Sequence, residues 1–229
     1  MDYGRSLLIT LPELILSVGG LVLLLWSAWS GAKAMRGASI AAVALLVGAG
    51  FAALGFTGDA FGGLYSGDQF SDFAHVLIYI AAAISLMIAP KFFDRQGLAR
   101  AEYPVLVIYA CVGMGMMVSA TDFLTLYIGL ELNSLAAYVL ASFLRTDERS
   151  AEAGLKYFVL GALASGILLF GMSLHFLSEE GRCLPGIEFA ARTVLRLGVA
   201  AVLGLVGHLL SRGIRRQAPA ASLGLLGEA

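Results

Sequence analysis

Two ionisable residues stand where the surrounding sequence is least hospitable to charge. Glu131 falls within the apolar run from Phe123 to Phe143, and Lys156 opens another that continues to about Leu177. Inside hydrocarbon, a charged side chain costs roughly 2.5–3.5 kcal/mol on insertion scales and marks an ion or substrate pathway. Glu131 lies about nine residues into its run, roughly 13 Å deep at 1.5 Å per residue. The segment before Lys156, Thr146-Asp147-Glu148-Arg149-Ser150, is good helix-start material, with acids that favour the N-terminal dipole. A helix starting near Asp147 puts Lys156 about 13 Å inside the opposite end. The lysine is then expected to meet Glu131 from the neighbouring helix.

Such a pair suits proton hand-over. Burial disfavours the charged form of each group and mutual proximity favours it, so moving one charge relative to the other loads or releases a proton. A lysine can lose its proton in this way, whereas an arginine cannot. The blander alternative is a structural ion pair, or a lysine that snorkels to the interface. Around Glu131, residues Tyr127, Ser134, Tyr138 and Ser142 recur at helical spacing on one face, which should point at protein or a water-filled cavity. Gly154, Gly161, Ala162, Ser165 and Gly166 supply small-xxx-small pairs for close helix approach.

The elements that must hold these residues are transmembrane helices. Of 229 residues, 59% are hydrophobic and 14% charged, against about a quarter charged in a soluble domain. A net charge of −1 gives no support to nucleic-acid binding. A bilayer core roughly 30 Å thick asks for about 20 apolar residues per helix. The runs that qualify are Leu7 to Ser30, Ala38 to Thr57, Phe73 to Phe92, Pro104 to Ala120, Phe123 to Phe143, one through Lys156 to Leu177, and a thinner one from Val194 to Leu210. The sequence therefore predicts an all-α, polytopic transmembrane bundle of six to seven spans. The first run lacks a basic start and a cleavage site and reads as a retained span. Ser119 to Asp122 is so short a connection that the fourth and fifth spans must form a tight antiparallel hairpin.

Basic residues set the orientation. Lys33, Arg36, Lys91, Arg95, Arg100, Arg145, Arg149, Arg212, Arg215 and Arg216 gather in alternate connections, while the loop from Thr57 to Asp72 carries only acids. By the positive-inside rule the N-terminus is periplasmic. Asp72 and His75 read as interfacial residues, Trp26 and Trp29 as an interfacial belt, and Asp122 with Thr121 as a helix cap. His208 is a lone histidine in the thinner seventh run and a weak proton-site candidate. Cys111 and Cys183 show no disulfide or metal spacing, and no dinucleotide or phosphate-loop motif is present.

The strings Ala101-Glu102-Tyr103-Pro104, Leu126-Tyr127-Ile128-Gly129-Leu130-Glu131-Leu132-Asn133-Ser134-Leu135 and Glu152-Ala153-Gly154-Leu155-Lys156-Tyr157-Phe158-Val159-Leu160-Gly161-Ala162 resemble the antiporter-like subunit N of bacterial NADH:quinone oxidoreductase (complex I). The resemblance implies the N-terminal half of an antiporter-like fold, with Glu131 and Lys156 in proton translocation. It also implies the bacterial inner membrane, the lipid bilayer and other complex I membrane subunits as partners, and no cofactor in this chain. NADH, flavin, iron–sulfur clusters and quinone would belong to partner subunits. The implied organisation is residues 1–103 as the first three spans, 104–177 as the spans bearing the Glu/Lys pathway, and 178–229 as a divergent tail. The string-by-string likeness ends about Leu174; past His175 the family's second lysine and its further helices have no counterpart, and a truncated or frame-altered chain is expected. Two other functions fit the residues less fully: a non-catalytic membrane scaffold, and a sodium/proton antiporter component.

Overall fold

The computed structural model describes residues 3–30, 35–55, 57–96, 100–144 and 147–179. The expected run Val194 to Leu210, with His208 and Cys183, lies outside them. Residues up to Phe158 form one compact unit, and a second begins at Val159. The helices are α1 (Tyr3–Ile9), α2 (Leu11–Ser30), α3 (Met35–Ala53), α4 (Gln69–Gln96), α5 (Tyr103–Ser119), α6 (Phe123–Ala141) and α7 (Glu148–Glu179), with a β-hairpin of β1 (Gly58–Ala60) and β2 (Tyr65–Gly67) between α3 and α4. Five of these helices are long and apolar enough to cross a membrane, and α5 is a shorter apolar helix. Large apolar side chains such as Val22, Leu25, Phe51, Met87 and Leu124 face outward, the surface that hydrocarbon demands.

The first expected span is divided. Pro12 has no N–H to give the carbonyl of Leu8, so the backbone ladder is interrupted after Ile9. Thr10 bridges the break, its Oγ1 donating to the Ser6 carbonyl at 3.1 Å. α3 presents Ala38, Ala42, Leu46, Ala49 and Ala53 inward, a small-residue stripe that lets α2 and α4 pack against it. α4 is 28 residues long and keeps Pro90 inside it. Its start is fixed by a reciprocal cap: the Ser71 N–H donates to Asp68 Oδ1 at 2.7 Å and the Asp68 N–H to Ser71 Oγ at 2.8 Å. These bonds hold the Asp68 carboxyl below the usual carboxylate range.

α5 is the centre of the first unit. It packs on α2, α3, α4 and α6, and Val105, Val107, Ile108 and Gly113 are buried on different sides of it. Pro104 occupies its first turn, where the absent N–H costs nothing. The main apolar core gathers Leu16, Leu46, Tyr79, Leu86, Val105 and Ile108 around it. At its N-terminal end, Phe93, Tyr103 and Phe143 form a ring cluster with centroids 5.0–5.6 Å apart.

The α5–α6 hairpin expected from the short Ser119 to Asp122 connection is present, and its cause is steric. A Cβ on Gly113 would lie 2.6 Å from the Asn133 nitrogen and 2.7 Å from the Gly129 carbonyl oxygen, and one on Gly129 would lie 2.8 Å from the Gly113 oxygen. The two backbones touch, which only glycine permits. Asp122 caps α6 as expected, accepting from the N–H groups of Leu124 (3.0 Å) and Thr125 (3.2 Å).

Where an acidic loop is expected between α3 and α4, the chain forms a β-hairpin. Gly58 pairs with Gly67, Asp59 with Ser66 and Ala60 with Tyr65. Phe61, Gly62 and Gly63 all take positive φ angles in its turn, a conformation that glycine adopts freely and Phe61 does not. The hairpin is fastened on two sides. The Phe61 N–H donates to Ser6 Oγ of α1 at 3.2 Å, while Thr121 donates to the Gly63 and Leu64 carbonyls and Tyr65 bridges to Ala120.

Candidate functional site

The polar face of α6 is arranged as its spacing predicts. Tyr127, Glu131, Ser134 and Ser142 are half-buried and Tyr138 is buried, whereas Leu124, Ile128, Leu135 and Val139 are exposed on the other side. Glu131 Oε1 is buried and has no hydrogen-bond partner among the described residues. Tyr138 interacts with Ser134, with the Glu131 carboxyl and with Tyr157 of α7; the Tyr138 and Tyr157 rings meet edge to face at 4.9 Å. Glu131 thus heads a line of hydroxyl groups along the inner face.

Lys156 does not meet Glu131 in this structure. Its ammonium pairs with Glu152, one turn earlier on α7, and both side chains are about two-thirds exposed. Helix phase explains the departure from the expected contact. α7 seats Gly154, where a Cβ would lie 2.3 Å from that of Ser142, and turns Tyr157 and Phe158 onto Tyr138. Lys156 is two residues past Gly154, about 200° around the helix, and therefore points outward. Ser150 fixes the same phase by donating to the Ala141 carbonyl at 2.9 Å. Of the small residues expected to mediate packing, Gly154 does so, and a Cβ at Gly166 would meet open space.

A second polar cluster escaped the sequence reading. Glu13 of α2 and His75 of α4 are both buried, and Nε2 of the histidine is 2.7 Å from Glu13 Oε1. His75 Nδ1 is 2.7 Å from the Ser71 carbonyl oxygen. His75 is therefore a buried group, not the interfacial one expected; α2, α5 and the hairpin close over it. Gly115 leaves the space, since a Cβ there would lie 2.9 Å from His75 Nε2 and 3.0 Å from Glu13 Oε1. Tyr79 packs on the imidazole with centroids 5.7 Å apart. Tyr65 of the hairpin interacts with Ser119 and Glu13, and burial, then the Glu13 charge, push its phenol well above the usual range. The signal available in sequence was the one used for Glu131: Glu13 follows Leu11-Pro12 and precedes Leu14-Ile15-Leu16, and Val76-Leu77-Ile78 follows His75. Among the described residues, no three His, Cys, Asp or Glu side chains gather as a metal-binding group.

Apolar helices that face outward, with buried ionisable residues turned inward, define a polytopic α-helical membrane protein. The fold matches a chain of the membrane-bound sulfane sulfur reductase, an archaeal respiratory membrane complex, with a TM-score of 0.62 over 88% of this chain and 43% of that one, at 17% identity.

Sequence comparison narrows the class. Residues 120–206 match the family described as NADH:quinone oxidoreductase/Mrp antiporter, TM, reaching further along the chain than the string-by-string likeness. Curated relatives are NADH-quinone oxidoreductase subunit N proteins: from Rhizorhabdus wittichii, 62% identical over 77% of this chain and 37% of the relative; from Erythrobacter litoralis, 57% over 77% and 38%; and from Sphingopyxis alaskensis, 47% over 89% and 43%. The chain's kinship is with subunit N, and it spans about two-fifths of the length of these relatives.

Proposed function

We propose that the chain is a proton-translocating membrane component of NADH:quinone oxidoreductase, in which protons pass by way of Glu131 and Lys156. The observation that carries this reading is a buried, unpartnered carboxyl oxygen of Glu131 on the inward polar face of a membrane-length helix. A buried carboxyl oxygen with no partner has an open position for a cation that approaches it. Lys156 is a suitable cation because its present attachment is weak: exposed i,i+4 pairs contribute only about 0.3–0.5 kcal/mol. Movement of the ammonium away from Glu152 and toward Glu131 would favour the ionised carboxylate and release the proton. Its return would favour uptake.

In this reading the bacterial inner membrane is the location and the N-terminus is periplasmic. NADH oxidation, flavin, iron–sulfur clusters and quinone reduction belong to partner subunits, whose energy arrives through conformational and electrostatic coupling. In the assembled complex, Glu131→Gln and Lys156→Met should abolish quinone-linked proton pumping, followed by a pH-sensitive dye in membrane vesicles supplied with NADH. Undiminished pumping in both variants, with the chain still co-purifying, would leave only the scaffold function. Sodium-dependent proton exchange in the absence of NADH would instead point to an antiporter.

A further inference from the structure

Hydrogen-bond accounting fixes the protons of the Glu13–His75 pair. The Ser71 carbonyl oxygen only accepts, so His75 Nδ1, 2.7 Å away, carries a hydrogen. Flipping the ring would put carbon atoms at both ends and lose both contacts. Nε2 faces Glu13 Oε1 at 2.7 Å. With a neutral imidazole, Nε2 is an acceptor and Glu13 must be a carboxylic acid; with an ionised Glu13, Nε2 must carry a second hydrogen. Both arrangements hold one proton between the two residues at zero net charge. They interconvert when the O–H bond breaks as the N–H bond forms, with no change of oxidation state. Loss of that proton sets two lone pairs face to face, and gain of another leaves a buried imidazolium facing a carboxylic acid.

The surroundings provide further polar groups. Glu13 Oε2 and the hydroxyls of Tyr79 and Ser119 are buried, and Tyr65 approaches both Ser119 and Glu13. Glu13 is itself nine-tenths buried. The titratable or charged groups on the surrounding elements are Asp72, Tyr79, Lys91, Asp94 and Arg95 on α4, Tyr103, Tyr109 and Cys111 on α5, Tyr65 on β2, Asp59 on β1, and Tyr3 and Arg5 on α1; Glu13 is the only one on α2, and α3 has only Arg36, at its far end.

We propose that Glu13 and His75 form a buried site that takes up and releases a single proton, with the Tyr79, Ser119 and Tyr65 hydroxyls connecting it to the hairpin end of the bundle. The site rests on the proton-moving reading for its place in transport, but its occupancy stands or falls independently.

The test uses the 229-residue chain in lipid vesicles. Nitrogen-15 histidine magnetic resonance, assigned with His75→Gln, reads the imidazole, and infrared spectra in H2O and D2O, assigned with Glu13→Gln, read the carboxyl. The expected result is a protonated Nδ1 throughout and one exchangeable proton shared by the pair, gained or lost by both residues together. Glu13→Gln should abolish any imidazolium signal, because the amide can donate to a neutral Nε2. A neutral Nε2–H tautomer, an ionised Glu13 beside a neutral imidazole, or a proton that fails to exchange with D2O over hours would each overturn the proposal. Proton flux measured with Glu131→Gln separates the two readings: unchanged flux would sink the Glu131 pathway without altering the occupancy of Glu13 and His75.

Discussion

Replacing Gly113 by alanine would put a methyl carbon where the backbone of α6 already stands. The added Cβ would lie 2.6 Å from the Asn133 nitrogen, about 0.8 Å inside ordinary van der Waals contact. Neither that nitrogen nor the Gly129 oxygen at 2.7 Å can rotate away, so α5 and α6 must separate along their shared seam. Overpacking of this kind costs about 1–3 kcal/mol. The assay is equilibrium unfolding of the chain in mixed micelles, followed by far-ultraviolet circular dichroism as the denaturing detergent fraction rises. Gly113→Ala should shift the transition by that amount, and Gly129→Ala, with a Cβ 2.8 Å from the Gly113 oxygen, should do likewise. The double variant should cost less than the two singles combined, because one separation of the helices relieves both clashes. A Gly113→Ala chain within about 0.5 kcal/mol of the original, the range of an inconsequential surface change, would refute the backbone contact.

Asp122→Ala should destabilise α6 by about 1 kcal/mol, the worth of an N-cap. Burial alone would raise the Asp122 carboxyl, but hydrogen bonds from Thr125 and the Leu124 N–H outweigh it and hold the group below its usual value. Because the folded-state value is the lower one, the cap contributes fully above the unfolded carboxylate range, about pH 4, and is lost as pH falls through the folded value. Unfolding curves of wild type and variant should therefore converge in acid. Lys156→Met should shift unfolding by no more than about 0.5 kcal/mol, so a loss of pumping in that variant would be a functional effect rather than misfolding. Arg36, whose Nη2 lies 2.6 Å from Asp94 Oδ2 on the exposed surface, should cost about 0.2–1 kcal/mol on substitution by alanine. That difference should vanish near 1 M salt, where the screening length is about 3 Å.

What could be read from sequence was what depends on local pattern. Apolar runs located the helices, the brevity of Ser119 to Asp122 brought α5 and α6 together, and the four- and three-residue spacing from Tyr127 to Ser142 gave the inward face of α6. Contacts set by packing were less accessible. Lys156 was expected at Glu131 because depth was estimated from rise along the helix, but the angular position comes from Gly154 against Ser142 and Tyr157 against Tyr138. Glu13 and His75 are 62 residues apart, and nothing local shows that Gly115 leaves a gap between them. Position near the end of its apolar run made His75 resemble an interfacial residue. The β-hairpin was missed for a related reason: its strands are three residues long, too short for alternation to stand out.

The two ends of the first unit are fastened differently. At one, the hairpin joins α1 to the start of α6 through directional bonds involving Ser6, Gly63, Leu64 and Thr121, which tolerate little displacement. At the other, α4, α5 and the segment after α6 meet through Phe93, Tyr103 and Phe143, rings that slide over one another with small loss of attraction. A force applied to α6 would therefore tilt it like a lever about its N-terminal end. Glu131, part-way along, would travel less than the far tip and yet change its distance from any charge on a helix that stays still.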